Sequence, residues 1–217
     1  MDMEFIKKLR KNTPLAFLSG GGRLNLTLLG GSIVNLVYIM GNVASAVIYH
    51  SLFSATLTLY HLTLIIIRIY LLSAVPASLD NRRIARVCIR VGILLLLLDV
   101  TAAFFILFTV SRGMFVSYSG VIFLGFTVYA IYSLTSSTLA MKRHANENNH
   151  LFYAARNITL ATALMSFFNL QYSFFSYLGV DPSIATPAIL GCGALVFSLI
   201  FAMAVRLIAK SRGLLIR

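Results

Sequence analysis

The residues best equipped for chemistry in this chain are polar side chains set in apolar surroundings. Asp99 is the one acidic residue inside any of six membrane-length apolar segments, and Leu94 to Leu98 precede it directly. A charge at mid-membrane costs at least about 2.5 to 3.5 kcal/mol unless it meets a partner, a cavity or a proton. Counting along helices at about 1.5 Å per residue places His61, Asn42 and Asn169 within about one turn of the same depth. His61 is the most economical partner, since it can donate to the carboxylate and share a proton with it. Such a couple can bind and release a proton, or hold a dehydrated cation with Asn42, Asn169 and Gln171 as oxygen donors. The competing reading is that Asp99 only hydrogen-bonds helices together, as polar groups in membranes commonly do.

Three further groups have suggestive residue types. Arg68 lies about two turns inside its segment, with Asn35 at matching depth as an acceptor. With Arg83, Arg86 and Arg90 it can form a pocket for an anion or a lipid headgroup, although plain topological anchoring also explains these cations. The aromatics Phe168, Tyr172 and Phe175 of the fifth segment can floor a site for a planar or lipid-like ligand, against a bland reading as lipid-facing packing. His144, Glu147 and His150 have metal-compatible types, but their spacing matches no zinc signature, and neither a metal nor a cofactor is indicated. Cys88 and Cys192 fall at different depths, which argues against a disulfide. No paired nucleophile and base is visible, so the chain leans away from an enzyme.

The elements that must position these side chains follow from composition. At 217 residues, 59% hydrophobic, 11% charged and with mean hydropathy +0.89, the chain is an integral membrane protein. Apolar stretches long enough to cross about 30 Å of hydrocarbon run from Leu24 to Tyr49, Leu52 to Val75, Arg86 to Val110, Phe115 to Met141, Phe152 to Tyr177 and Pro182 to Ala209. The expected fold is all-α, a polytopic bundle of six transmembrane helices arranged as three hairpins. Residues 1–23 read as a basic amphipathic segment with a Gly20–Gly22 hinge, 24–209 as the six-helix domain and 210–217 as a basic tail. Asp181-Pro182 and Thr186-Pro187 both read as starts of the sixth helix.

The net charge of +12 sits on alternate loops: Lys7 to Arg23, Arg82 to Arg90, Lys142 to Arg156, and Arg206 to Arg217. That asymmetry places both termini in the cytoplasm beside anionic headgroups, and it accounts for the charge without nucleic acid. A weak triplication can be read across the hairpins, with Asn42, Asp99 and Asn169 in the odd segments and Tyr60-His61-Leu62, Tyr132-Ser133-Leu134 and Phe197-Ser198-Leu199 in the even ones.

The stretches Leu59 to Leu64 through Arg68, Tyr132 to Thr135, and Ala154-Ala155-Arg156 through Leu170-Gln171 resemble a family of six-span membrane proteins from Gram-positive bacteria. The resemblance implies a multi-pass protein of the bacterial plasma membrane and carries over no functional residues. The expected function is a small transporter or channel subunit that binds a proton or cation at Asp99. The alternatives are a substrate-binding membrane subunit that docks to a separate energising complex, and a lipid-interacting or assembly protein. A protein partner or a homo-oligomer fits either alternative.

Overall fold

A computed structural model describes residues 20–73, 81–113, 116, 118–143 and 150–216. The amino-terminal segment 1–12, His144 and Glu147 lie outside the described residues. Six helices follow in order: α1 (Gly20–Tyr49), α2 (Leu52–Ser73), α3 (Asn81–Ser111), α4 (Gly120–Arg143), α5 (His150–Leu178) and α6 (Pro182–Ile216). All six are long and apolar enough to cross a membrane. Helices are the expected solution for such sequences, because hydrocarbon offers no partner for backbone amides and each segment must satisfy its own. The surface they present outward is also apolar: Ile33, Val37, Met40, Leu97, Phe104, Val121 and Leu195 are all exposed.

The bundle is organised around α5. It touches each of the other five helices, and 67% of its spanning window is buried, against 28% to 44% for the others. Around it the helices run α4, α1, α2, α3, α6, with neighbours in contact. Its sequence explains the central position, since Ala154, Ala155, Ala161, Ala163, Thr162, Ser166 and Ser173 are small and buried, and small residues let helix backbones approach without a gap. The most extensive pairing is α3 with α6. A Cβ added at Gly92 on α3 would come within 2.6 Å of Ile208 Cγ1 and 3.3 Å of the Ala204 carbonyl on α6, so glycine sets that close crossing.

Several expectations are revised by this packing. Helices α1 and α2, and α5 and α6, pack as hairpins, but α3 and α4 share no contact among the described residues. The middle hairpin is therefore opened by other helices, and the three pairs are not packed alike. Gly20–Gly22 form the first turn of α1, and residues 210–216 continue α6. The sixth helix starts at Pro182, and Pro187 lies inside it. Asp181 caps the start, accepting from the Ser183 amide at 2.8 Å. The Ser183 hydroxyl and amide hold the Asp181 carboxyl below the usual carboxylate range.

One end of the bundle is stitched by hydroxyls. His50 takes φ 48° in the tight α1–α2 turn, an uncommon conformation for a residue other than glycine. The Tyr118 hydroxyl lies 2.9 Å from Ser54 Oγ and 3.4 Å from Ser51 Oγ, while the Ser119 amide donates to the Tyr49 hydroxyl at 3.2 Å. The other end is basic and aromatic. Arg90 donates to the Tyr70 hydroxyl at 3.2 Å, and Lys210 and Arg156 both sit over the Tyr153 ring, at 4.5 and 5.1 Å from its centroid.

Candidate functional site

Polar side chains spaced three and four residues apart face one another in the interior between α1, α2, α4 and α5. On α1 they are Asn35, Tyr38, Asn42 and Ser45; on α5 they are Thr162, Ser166, Asn169, Ser173 and Ser176, all buried. On α2, Ser54, His61 and Arg68 recur every seven residues and are equally buried, while α4 contributes Tyr129 and Ser133. Positions three and four apart share one helix face, so these stripes meet as a continuous file through the core.

Tyr38 is the hub of the file. Its ring stacks on Tyr129 at 3.8 Å between centroids and meets the His61 ring edge-on at 4.6 Å. The Tyr38 hydroxyl accepts from Asn169 Nδ2, and Asn42 Nδ2 donates to the Tyr38 carbonyl at 3.0 Å. Ser173 donates to Asn169 Oδ1 at 3.5 Å. Toward the hydroxyl-stitched end the file continues through Ser45 and Ser54, 3.0 Å apart, to Tyr118. Toward the basic end, Tyr129 donates to Asn35 Oδ1 at 2.6 Å, and Arg68 Nη2 donates to Thr162 Oγ1 at 3.0 Å.

Much of the hydrogen-bonding capacity of this file is unused. Both ring nitrogens of His61, Asn42 Oδ1, Asn35 Nδ2, and Nε and Nη1 of Arg68 are buried without a protein partner. Each such group costs about 1–3 kcal/mol to leave unsatisfied, and native structures usually satisfy them with protein or ordered water. They are concentrated in this one file, between the Tyr38 hub and Arg68.

The structure brings together three of the residues singled out by depth, His61, Asn42 and Asn169, and leaves Asp99 apart. Asp99 is 2% exposed on α3, its Oδ1 lacks a partner, and its electrostatic neighbour is Tyr60, whose hydroxyl is also unpaired. His61 follows Tyr60 directly, and successive helical residues point about 100° apart. His61 therefore faces α1 and α4 while Tyr60 faces α3, and the expected His61–Asp99 pair does not form. In front of Tyr60 a groove of about 440 Å³ runs between α2 and α3, lined by Leu59, Thr63, Leu97, Leu98 and Thr101 among others. Leu59 and Leu97 are exposed, so the groove opens on the lipid side.

The other candidates separate as well. Gln171 donates to the Ala188 carbonyl at 3.3 Å, tying α5 to α6 away from Tyr38. Arg68 is buried, whereas Arg83, Arg86 and Arg90 are exposed; Arg86 donates to the Arg82 carbonyl and Arg90 to the Tyr70 hydroxyl, so the four do not make one pocket. Phe168 and Tyr172 are fully buried packing residues, with Phe53 stacked on Tyr172 at 3.7 Å and 6.0 Å from Phe168. Phe175 is half-buried against the same core. No cluster of three or more metal-ligating side chains occurs among the described residues.

Tyr38, Tyr129 and Thr162 do not stand out when single residues are ranked on polarity and depth. The signal that finds them is the three-and-four spacing of Asn35-Tyr38-Asn42-Ser45 and Thr162-Ser166-Asn169-Ser173-Ser176, which puts each set on one helix face. In comparisons with protein-family models, curated proteins and solved structures, nothing matches this chain.

Proposed function

We propose that this protein is a small membrane transporter or channel subunit, and that its solute route is the polar file between α1, α2, α4 and α5. The observation that carries the reading is His61, fully buried with both ring nitrogens unpaired, beside Asn42 and Asn169 at the Tyr38 hub. A bundle needing only mechanical stability would be better served by apolar residues there, since unsatisfied polar groups in hydrocarbon are costly. Intramembrane ionisable residues by default mark ion or substrate pathways. The solute class is a proton or a small ion. The basic residues gathered at one end, the Arg82–Arg90 and Arg206–Arg212 groups among them, favour that end, with both termini, in the cytoplasm.

Asp99 enters this reading as a proton-carrying group beside the file and not within it. Proteoliposomes carrying a lumenal pH dye and subjected to an imposed ion gradient test both parts. Wild-type protein is expected to give flux above empty liposomes. Asp99→Asn, which is nearly isosteric, is expected to insert normally and to lower proton-coupled flux at least about tenfold, a barrier increase of about 1.4 kcal/mol. Unchanged flux in a folded variant would remove the carboxylate from the mechanism, and wild-type flux no greater than that of empty liposomes would contradict transport.

A further inference from the structure

Arg68 is 2% exposed and lies five residues from the end of α2, about 7.5 Å into the span. Its guanidinium spends one hydrogen bond on Thr162 and leaves Nε and Nη1 unpaired. The acidic residues among those described are Asp99 and Asp181. Asp99 neighbours Tyr60 on the α2–α3 side, and Asp181 caps α6 at the opposite end. Neither neutralises Arg68, so among the described residues a buried cation stands without a counter-ion. A charge taken from water without a partner is among the most expensive things a fold can contain.

The surroundings are built to complete that charge. A cavity of about 20 Å³ lies against Arg68, lined by Asn35, Tyr129, Ser133, Thr159 and Thr162. Its size admits one water-sized particle. The lining offers the unpaired Asn35 Nδ2 as a donor and no carboxylate, while the hydroxyls of Tyr129, Thr159 and Thr162 already donate to Asn35 Oδ1 and to the Ala155 and Ile158 carbonyls. Gly31 makes room for the guanidinium, since a Cβ there would fall 2.0 Å from Arg68 Nη1. The backbone of α1 is thus shaped around a cation that no described acidic residue neutralises.

We propose that Arg68, oriented by its hydrogen bond to Thr162, forms with Asn35 a binding site for a single small anionic centre, either a free halide or one oxygen of an anionic lipid phosphate. This deepens the transport reading by giving the basic end of the file a preference for anions. It is tested by binding, so that its failure and the failure of transport can be told apart. Arg68 acts alone here, without the exposed arginines of α3.

Thermal unfolding of the full chain tests the proposal. In neutral detergent, sodium chloride or bromide is titrated at constant ionic strength against sodium gluconate, a bulkier and more strongly hydrated anion. A parallel arm titrates phosphatidylglycerol into phosphatidylcholine bicelles. A ligand that binds only the folded state raises Tm in a saturable way, and wild type is expected to do so in at least one arm. The halide arm identifies a free ion, and the lipid arm alone identifies a headgroup. Arg68→Gln is expected to abolish the response. Gly31→Ala, which keeps the charge but obliges the guanidinium to move, is expected to shift its midpoint at least about tenfold to higher concentration. If Arg68→Gln does not fold, Gly31→Ala decides. A wild type flat in both arms, or a response unchanged in these variants, would overturn the site.

Discussion

Replacing His61 by phenylalanine is expected to stabilise the bundle by about 1–3 kcal/mol while lowering ion flux in proteoliposomes at least about tenfold. The two effects have one cause. His61 is fully buried and meets Tyr38, Tyr60 and Tyr129 with its ring edges or faces at 4.6, 5.7 and 6.1 Å. Phenylalanine fills nearly the same volume and retains those aromatic contacts, so packing changes little. What disappears is a pair of buried nitrogens that lack protein partners. Removing an unsatisfied polar group from a membrane interior relieves a desolvation penalty. If that group instead serves a solute, removing it closes the route. Opposite signs for stability and activity are the mark of a functional site held at a cost to the fold. Thermal unfolding in detergent and flux on the same preparation measure both; a variant that loses stability and keeps its flux would show that His61 is a packing residue.

The second large effect belongs to the core. Phe53→Ala is expected to destabilise the protein by about 3 kcal/mol, the lower end of the range for deleting a buried phenylalanine. Phe53 is fully buried on α2, stacked on Tyr172 and close to Phe168 of α5, so its loss opens a cavity where the central helix meets its neighbour. The lower end applies because lipid tails are as apolar as the side chain removed, which leaves lost packing and not water transfer as the main penalty. Reversible unfolding in mixed micelles reads the difference. A change below about 1 kcal/mol would mean that α2 and α5 close up over the gap.

Phe53, together with Phe168 and Tyr172, also shows what a linear reading of the chain obscures. The aromatics of the fifth segment look like a lipid-facing belt or a ligand floor, because nothing in their order reveals that α5 is the central helix. That position follows from the buried alanines and serines between them, whose small size matters only once neighbouring helices are present. Span number and approximate limits are legible because hydrocarbon thickness and backbone satisfaction dictate them directly. The shared depth of His61, Asn42 and Asn169 is legible too, because rise per residue is fixed.

Direction around the helix is a different matter. Asp99 and His61 share a depth, yet His61 faces the Tyr38 hub and Asp99 faces Tyr60, because rotation of each helix is set by packing against its neighbours. Depth alone carries no such information. The polar stripes on α1 and α5 do carry it, since their spacing fixes a face. Reading those stripes in preference to the most polar single residues moves the candidate site from Asp99 to Tyr38. The unpacked α3–α4 pair has the same origin: chain succession permits a hairpin, but the extensive α3–α6 pairing, with its close approach at Gly92, takes α3 away from α4.

The central claim is that the file around Tyr38 is open to water and small solutes within the folded membrane protein. Cysteine accessibility in intact proteoliposomes tests it most directly, in a background with Cys88→Ala and Cys192→Ala. Single cysteines replace Asn42 and Ser133 in the file and Leu36 and Val43 on the exposed apolar face of the same bundle, and each is treated with a small water-soluble, membrane-impermeant thiol reagent. The account predicts modification of Asn42→Cys and Ser133→Cys, with Leu36→Cys and Val43→Cys protected by lipid. Protection of both file positions under conditions where the variants are folded would contradict it and leave the polar interior as a set of helix-packing contacts.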